Sequence, residues 1–215
     1  MAKAPIPGLV KTRLVPPLKH EQAAELYRAL LLDQLDHLAQ LNSADLYVAF
    51  TPVDAAPLMV SLLPVGFRCF PQRGDDLGER MNEVFIELRR RAHCNLIVIG
   101  SDLPAVPLNF FEDAFRLLAG GKKRAVLGPS RDGGYYLIGL NQPTPEIFQD
   151  MTWSHDRVLA QTTEMLARLE IDFALLPIWS DLDTLEDLDR LRATSNPGVR
   201  QAMRRTLALL ARLNG

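Results

Sequence analysis

Residues 95–100 (NLIVIG) make an apolar, β-branched run with no polar alternation, and the chain leaves it through Gly100-Ser101-Asp102-Leu103-Pro104. A strand of that kind has no face that water can wet. It suits a parallel strand covered on both sides, which requires a layered fold with helices against the sheet. The rest of the chain agrees with that demand. Ala23, Leu26, Tyr27, Leu30, Leu31, Leu35 and Leu38 recur at spacings of three and four, so the pattern predicts a helix over 20–41. Further strands are expected at 44–50, 67–70, 124–128, 134–140 and 173–178. Helices are expected at 77–92, 107–119 (with Pro107 in its first turn), 155–170 and 184–192. The last of these has Thr184 at the N-cap and Asp187 three residues on, close to a capping box. Residues 197–213 read as one amphipathic helix with Val199, Met203, Leu207, Leu210 and Leu213 on one face, expected to dock on the body or on a second subunit. Strands alternating with helices predict an α/β sandwich with a mostly parallel sheet, organised as a catalytic domain over 1–195 and an appended helix over 196–215.

Composition removes several function classes. The 215 residues carry 24 basic and 26 acidic side chains, a net charge of −2, whereas a dedicated nucleic-acid binder is usually strongly basic. No apolar run is long enough to span a bilayer, so no membrane partner is expected. MAKAPIPGLVKTR lacks the apolar core of a signal peptide, which makes the cytoplasm the expected location. Cys69 and Cys94 are expected as reduced, buried thiols, and the four His residues show no zinc-site spacing. The expected partners are small molecules, acting on a monomer or a homodimer.

In open α/β sheets ligands bind beyond the carboxyl ends of the strands, and four polar motifs fall there. Gly8-Leu9-Val10-Lys11-Thr12-Arg13 puts two cations two residues apart. If extended, the segment points Lys11 and Arg13 to one side and suits a polyphosphate; otherwise it is a solvated basic turn. Asp102 follows the most apolar strand. A carboxylate there is costly unless paired or metal-bound, and Mg²⁺ takes one or two carboxylates together with phosphate oxygens and water. The alternative is a turn or cap. Asp181-Leu182-Asp183-Thr184 repeats that placement, and with Thr184 as a cap Asp183 is free to reach a metal held by Asp102. Residues 128–136 (GPSRDGGYY) read either as a plain hairpin turn or as an acceptor pocket lined by Arg131, Asp132, Gly133, Gly134 and Tyr135. Gln72 with Gly78, Glu79 and Arg80 is placed near a nucleotide base, although a Gly before a Glu–Arg pair is also ordinary helix-start chemistry. Trp153 and Ser154 are either a pocket wall or core.

Taken together, K-A-P-x-P-G-x-V-K-T-R-L (3–14), L-G-E-R-M (77–81), G-S-D-L-P (100–104), G-P-x-x-D-G-G-Y-Y-L-I-G-L (128–140), W-S (153–154) and D-x-D-T-x-E-D-L (181–188) occur here in order. The set resembles a bacterial glycosyltransferase-like family related to phospholactate guanylyltransferase and to the wider nucleotide-diphospho-sugar transferases, over residues 3 to 192. The resemblance implies a GT-A-like fold and a divalent cofactor, Mg²⁺ or Mn²⁺, held by Asp102 and Asp183. It also implies that Lys11 and Arg13 hold the phosphates, with Gly8, Thr12 and Ser101 beside them. Catalytic weight then falls on Lys11, Arg13 and Asp102.

Three functions follow as expectations. The first is nucleotidyl transfer from an NTP to a small phosphorylated or carboxylated acceptor, with pyrophosphate leaving. The second is glycosyl transfer from a nucleotide sugar, with Asp132 as a base. The third is non-catalytic nucleotide binding. The resemblance carries one departure. Relatives have a hydrophobic strand just before K-A-P-x-P-G, whereas Met1-Ala2 alone precede Lys3 here. The natural protein is therefore expected to start several residues upstream with an apolar segment.

Overall fold

A computed structural model describes residues 1–213. In chain order the elements are β1 (Ala2–Lys3), α1 (His20–Leu38), β2 (Leu46–Thr51), α2 (Ala56–Leu62), β3 (Phe67–Pro71), α3 (Leu77–Arg90), β4 (Leu96–Ile99), α4 (Leu108–Leu118), β5 (Arg124–Pro129), β6 (Tyr135–Leu140), α5 (Val158–Arg168), β7 (Asp172–Leu175), α6 (Leu185–Arg192), α7 (Pro197–Ala202) and α8 (Arg204–Leu213). They gather into two compact units. One holds Met1–Pro71, Ser101–Val106 and the chain from Asp181 onward; the other holds Gln72–Gly100 and Pro107–Ser180.

The first unit is built on a parallel three-stranded sheet in the order β1-β2-β3. Strand β1 is two residues long and pairs parallel with β2, Ala2 opposite Phe50 and Lys3 opposite Thr51. Helix α1 explains why its apolar stripe is so wide, because it serves two cores. Ala24, Tyr27, Leu31 and Leu35 pack with Ala2, Val48 and Phe50 of the sheet and with Met59 and Leu62 of α2. Leu26, Ala29 and Leu30 pack with Leu14, Leu182, Leu188, Leu191, Met203, Leu209 and Leu210.

The C-terminal segment is two helices rather than the single one expected, broken at Met203. The break has a local cause. Asp33 of α1, 1% exposed, accepts hydrogen bonds from the Arg205 N–H (3.2 Å), the Thr206 N–H (2.8 Å) and the Thr206 hydroxyl (2.8 Å). A carboxylate that accepts the first free amides of a helix fixes where that helix begins. Arg205 also pairs with Asp33 and Asp36, so this arginine belongs to a contact with α1 and not to a solvated face.

The second unit carries a sheet in the order β4-β6-β5-β7. Its β5–β7 pair is parallel and its two pairs with β6 are antiparallel, so three of the five strand pairs among the described residues are parallel. The residue 95–100 run was expected in a parallel pairing; within this unit β4 pairs antiparallel with β6, Leu96 opposite Leu140 and Ile99 opposite Leu137. Its side chains alternate between buried and half-buried positions. Pro107 is the N-cap of α4 and stands just before its first turn. Strand β7 ends at Leu175 rather than at residue 178, and Phe173 and Leu175 are exposed. The cysteines also differ from expectation: Cys69 is half-buried and Cys94 is exposed.

Asp33→Ala leaves the buried Thr206 amide without its acceptor, a loss of about 1–3 kcal/mol. Urea unfolding should show that drop, with Asp33→Asn costing less because one acceptor oxygen remains.

Candidate functional site

Three segments far apart in sequence meet in the first unit. The chain enters through Gly8, at φ +83°, and reaches Lys11, whose backbone is left-handed (φ 47°, ψ 38°). A 3-10 turn over Thr12–Leu14 follows, closed by the Leu14 N–H donating to the Lys11 carbonyl. The segment is therefore turned, not extended as expected. The turn still directs both cations to one place: Lys11 Nζ lies 2.8 Å from Asp183 Oδ1, and Arg13 donates to Asp183 Oδ2 at 3.4 Å.

Lys11 Nζ also lies 2.9 Å from Asp102 Oδ2. One ammonium thus sits between the two carboxylates that the motifs single out. The lysine side chain is 3% exposed, against 31% and 35% for Asp102 and Asp183. Burial alone would lower the Lys11 ammonium, but the two carboxylates outweigh it and hold the group above the ordinary lysine range. Lys11 is therefore charged throughout the neutral range.

Backbone contacts hold the two carboxylates in register. The Leu182 N–H donates to the Asp102 carbonyl at 3.0 Å, tying the two segments together, with Leu103 and Leu182 buried beneath. Asp187 of α6 fixes the second segment: its Oδ2 accepts the Asp183 N–H, the Thr184 N–H and the Thr184 hydroxyl at 3.0, 2.7 and 2.7 Å. The expected capping box between Thr184 and Asp187 is present. Burial pushes the Asp187 carboxyl up, but the Thr184 hydroxyl, the two amides and Arg190 outweigh it and hold it below the usual range. Ser101 faces inward, its Oγ 2.6 Å from the Tyr27 hydroxyl, which also accepts the Lys3 N–H. Burial keeps that phenol protonated far above its ordinary range. Sequence reasoning placed Tyr27 in the core and missed its polar end; a tyrosine in an otherwise aliphatic helical stripe is the signal for it.

The donor set suits a hard divalent cation. Among the described residues no three His, Cys, Asp or Glu side chains gather at one point. Asp102 and Asp183, each about one-third exposed, are the two carboxylates that could hold Mg²⁺ or Mn²⁺ together with phosphate oxygens and water, and Lys11 now stands between them.

The remaining candidates lie in the second unit. Asp76 caps α3 by accepting the Glu79 N–H, Glu79 accepts the Asp75 N–H, and Arg80 donates to the Gly74 carbonyl. Glu79 and Arg80 therefore perform helix-start chemistry, and Gln72 lies two residues earlier in the chain than Gly74. A side chain at Gly78 would overlap the Trp153 ring, which places that Trp in packing against α3. Arg131 and Asp132 are exposed at the tip of the β5–β6 hairpin, and Asp132 accepts the Gly134 N–H. Gly133, at φ +87°, lies so close to the Asp156 carbonyl that no side chain fits. The hairpin thus accounts for its own glycines. Tyr135 is half-buried with its phenol pushed up by burial, and Ser154 is exposed.

Asp187→Ala should cost about 0.5–2 kcal/mol at pH 7, the usual worth of a helix cap. Because the folded carboxyl is held low, that advantage exists above the ordinary carboxylate pKa, about 4, and disappears as pH falls through the lower folded value. Unfolding curves of both proteins at stepwise lower pH should converge.

No curated protein matches the sequence. Among solved structures, the chain is similar to a "putative nucleotide-diphospho-sugar transferase" from Desulfovibrio desulfuricans G20, at 35% identity and a TM-score of 0.88, over 99% of this chain and 92% of that one. The fold is accordingly mixed α/β and GT-A-like. The profile of a family described as "Uncharacterized protein conserved in bacteria (DUF2064)" matches residues 34–155, more than half of the chain. On that match, the chain belongs to the bacterial DUF2064 family.

Proposed function

We propose that this protein is a transferase that takes a nucleotide substrate as its divalent-metal complex. The observation that carries this reading is the convergence of Asp102 and Asp183 on the Lys11 ammonium, with Arg13 of the same turned loop on Asp183. Asp102 and Asp183 would hold the metal. When bound, it would neutralise charge on the phosphate oxygens. Lys11, Arg13 and the loop around Gly8 and Thr12 would bind the terminal phosphates through charge-assisted hydrogen bonds.

Within that class we infer nucleotidyl transfer. An acceptor phosphate or carboxylate oxygen attacks the α-phosphorus; the bond to the bridging oxygen breaks, and pyrophosphate leaves with its electron pair. Two cations on one loop favour a triphosphate, which has one more phosphate to neutralise than a nucleotide sugar. Charge placement and orientation supply the rate enhancement in such a step, and no poised histidine is needed. The base-side roles of Gln72, Gly78, Glu79 and Arg80, and the acceptor roles of Arg131, Asp132, Gly133, Gly134, Tyr135, Trp153 and Ser154, rest on motif order. The description of the Desulfovibrio protein favours a second reading, glycosyl transfer from a nucleotide-diphospho-sugar.

A panel of NTPs and nucleotide sugars, with and without Mg²⁺, separates the two, because a ligand that binds the native state raises Tm by mass action. Stabilisation by an NTP with Mg²⁺, and pyrophosphate release once the acceptor is found, is the expected result. Stabilisation only by nucleotide sugars selects the second reading. Asp102→Asn should abolish the Mg²⁺-dependent part of the shift while the protein stays folded. Arg13→Ala should weaken NTP binding roughly tenfold and NMP binding little.

A further inference from the structure

We propose that the Lys11 ammonium is the resident counter-ion of the Asp102–Asp183 pair, and that it exchanges places with the divalent cation, moving to a phosphate oxygen as the metal–nucleotide complex binds. The proposal rests on the function inferred above and assigns a regulatory role to a residue of that same site.

Three observations lead to it. The first is occupancy. Lys11 Nζ is 2.9 Å from Asp102 and 2.8 Å from Asp183, so it already engages both carboxylates that would hold a metal. An ammonium has three donors, and two of them are committed to these carboxylates. It cannot also grip a polyphosphate strongly from that position. The second is charge. Lys11 and Arg13 contribute two positive charges, and Asp102 and Asp183 two negative ones, so the paired cluster is neutral. A polyphosphate finds no surplus positive charge there until a divalent cation is added. A divalent cation held by the carboxylates would repel the ammonium, and a phosphate oxygen of the nucleotide would then be a partner of opposite charge for it.

The third observation is that the two carboxylate segments are held by bonds that do not involve Lys11. The carboxylate segments are tied by Leu182 N–H to Asp102 carbonyl and by Asp187 to the Asp183 amide. The Lys11 backbone is held by the turn that follows it, so the exchange asks only its four-carbon stem to rotate. The exchange makes metal and nucleotide binding positively coupled: metal alone must displace a buried cation, whereas metal arriving with nucleotide gives that cation a new partner.

The test uses Mn²⁺ alone, with free Mn²⁺ read by electron paramagnetic resonance, on the full chain and its Lys11→Met variant. The variant should bind Mn²⁺ at least about fivefold more tightly than wild type, the lower end of ordinary coupling between ligands. Adding Asp102→Asn to the variant should remove the gain. Equal or weaker Mn²⁺ binding by Lys11→Met overturns the exchange. A second measurement needs no variant: limited acetylation of wild-type protein, read by mass spectrometry. Lys11 should be protected without metal, become reactive with Mn²⁺ alone, and be protected again with Mn²⁺ and NTP. Unchanged labelling with Mn²⁺ overturns the proposal. If wild type binds Mn²⁺ with nucleotide while either test gives the overturning result, the exchange alone fails. If no form binds Mn²⁺ even with nucleotide, the metal-dependent function fails with it.

Discussion

The ammonium of Lys11 joins parts of the chain that have no local reason to meet. Residue 11 leaves a turn near the start, residue 102 follows the most apolar strand in sequence, and residue 183 precedes a helix near the end. Two carboxylates brought that close repel unless a cation lies between them. Lys11 supplies it, 3% exposed and charged at neutral pH. The turn at Thr12–Leu14, the Leu182–Asp102 backbone bond and the Asp187 cap all converge on this contact.

Polar groups elsewhere in the first unit serve the same placement. Tyr27 lies in the sheet-facing stripe of α1, yet its hydroxyl reaches Ser101, the residue before Asp102. Asp33, further along α1, accepts the first amides of α8 and sets where the C-terminal helices divide. A buried carboxylate in an apolar helix is tolerated only when its oxygens are bonded, and these are. Helix α1 is thus both the shared wall of two cores and the anchor for the segments that carry the site.

The second unit illustrates how motifs can serve structure first. Glu79 and Arg80 close the start of α3, Gly78 admits the Trp153 ring, and Gly133 admits the Asp156 carbonyl. Each of these residues is explained by a turn, a cap or a close approach. Their proposed roles toward a base and an acceptor are additional to those local functions and rest on the order of the motifs.

Strand and helix positions were legible in the chain because period and capping are local: Thr184 and Asp187 announce their box within four residues, and the 3.6-residue period of α1 lies within its own span. That Asp102 needs a partner was legible too, since a carboxylate after an apolar strand is costly without one. Which partner it takes was not. The sequence reading assigned Lys11 to phosphate and Asp102 and Asp183 to metal, while the fold pairs all three with one another. The pairing of β4 and the break at Met203 likewise depend on what lies opposite, β6 in one case and Asp33 in the other. Periodicity and caps are encoded over a few residues. The Lys11 pairs span 91 and 172 positions of sequence and β4 finds its partner in a later strand, and only the folded chain brings those together.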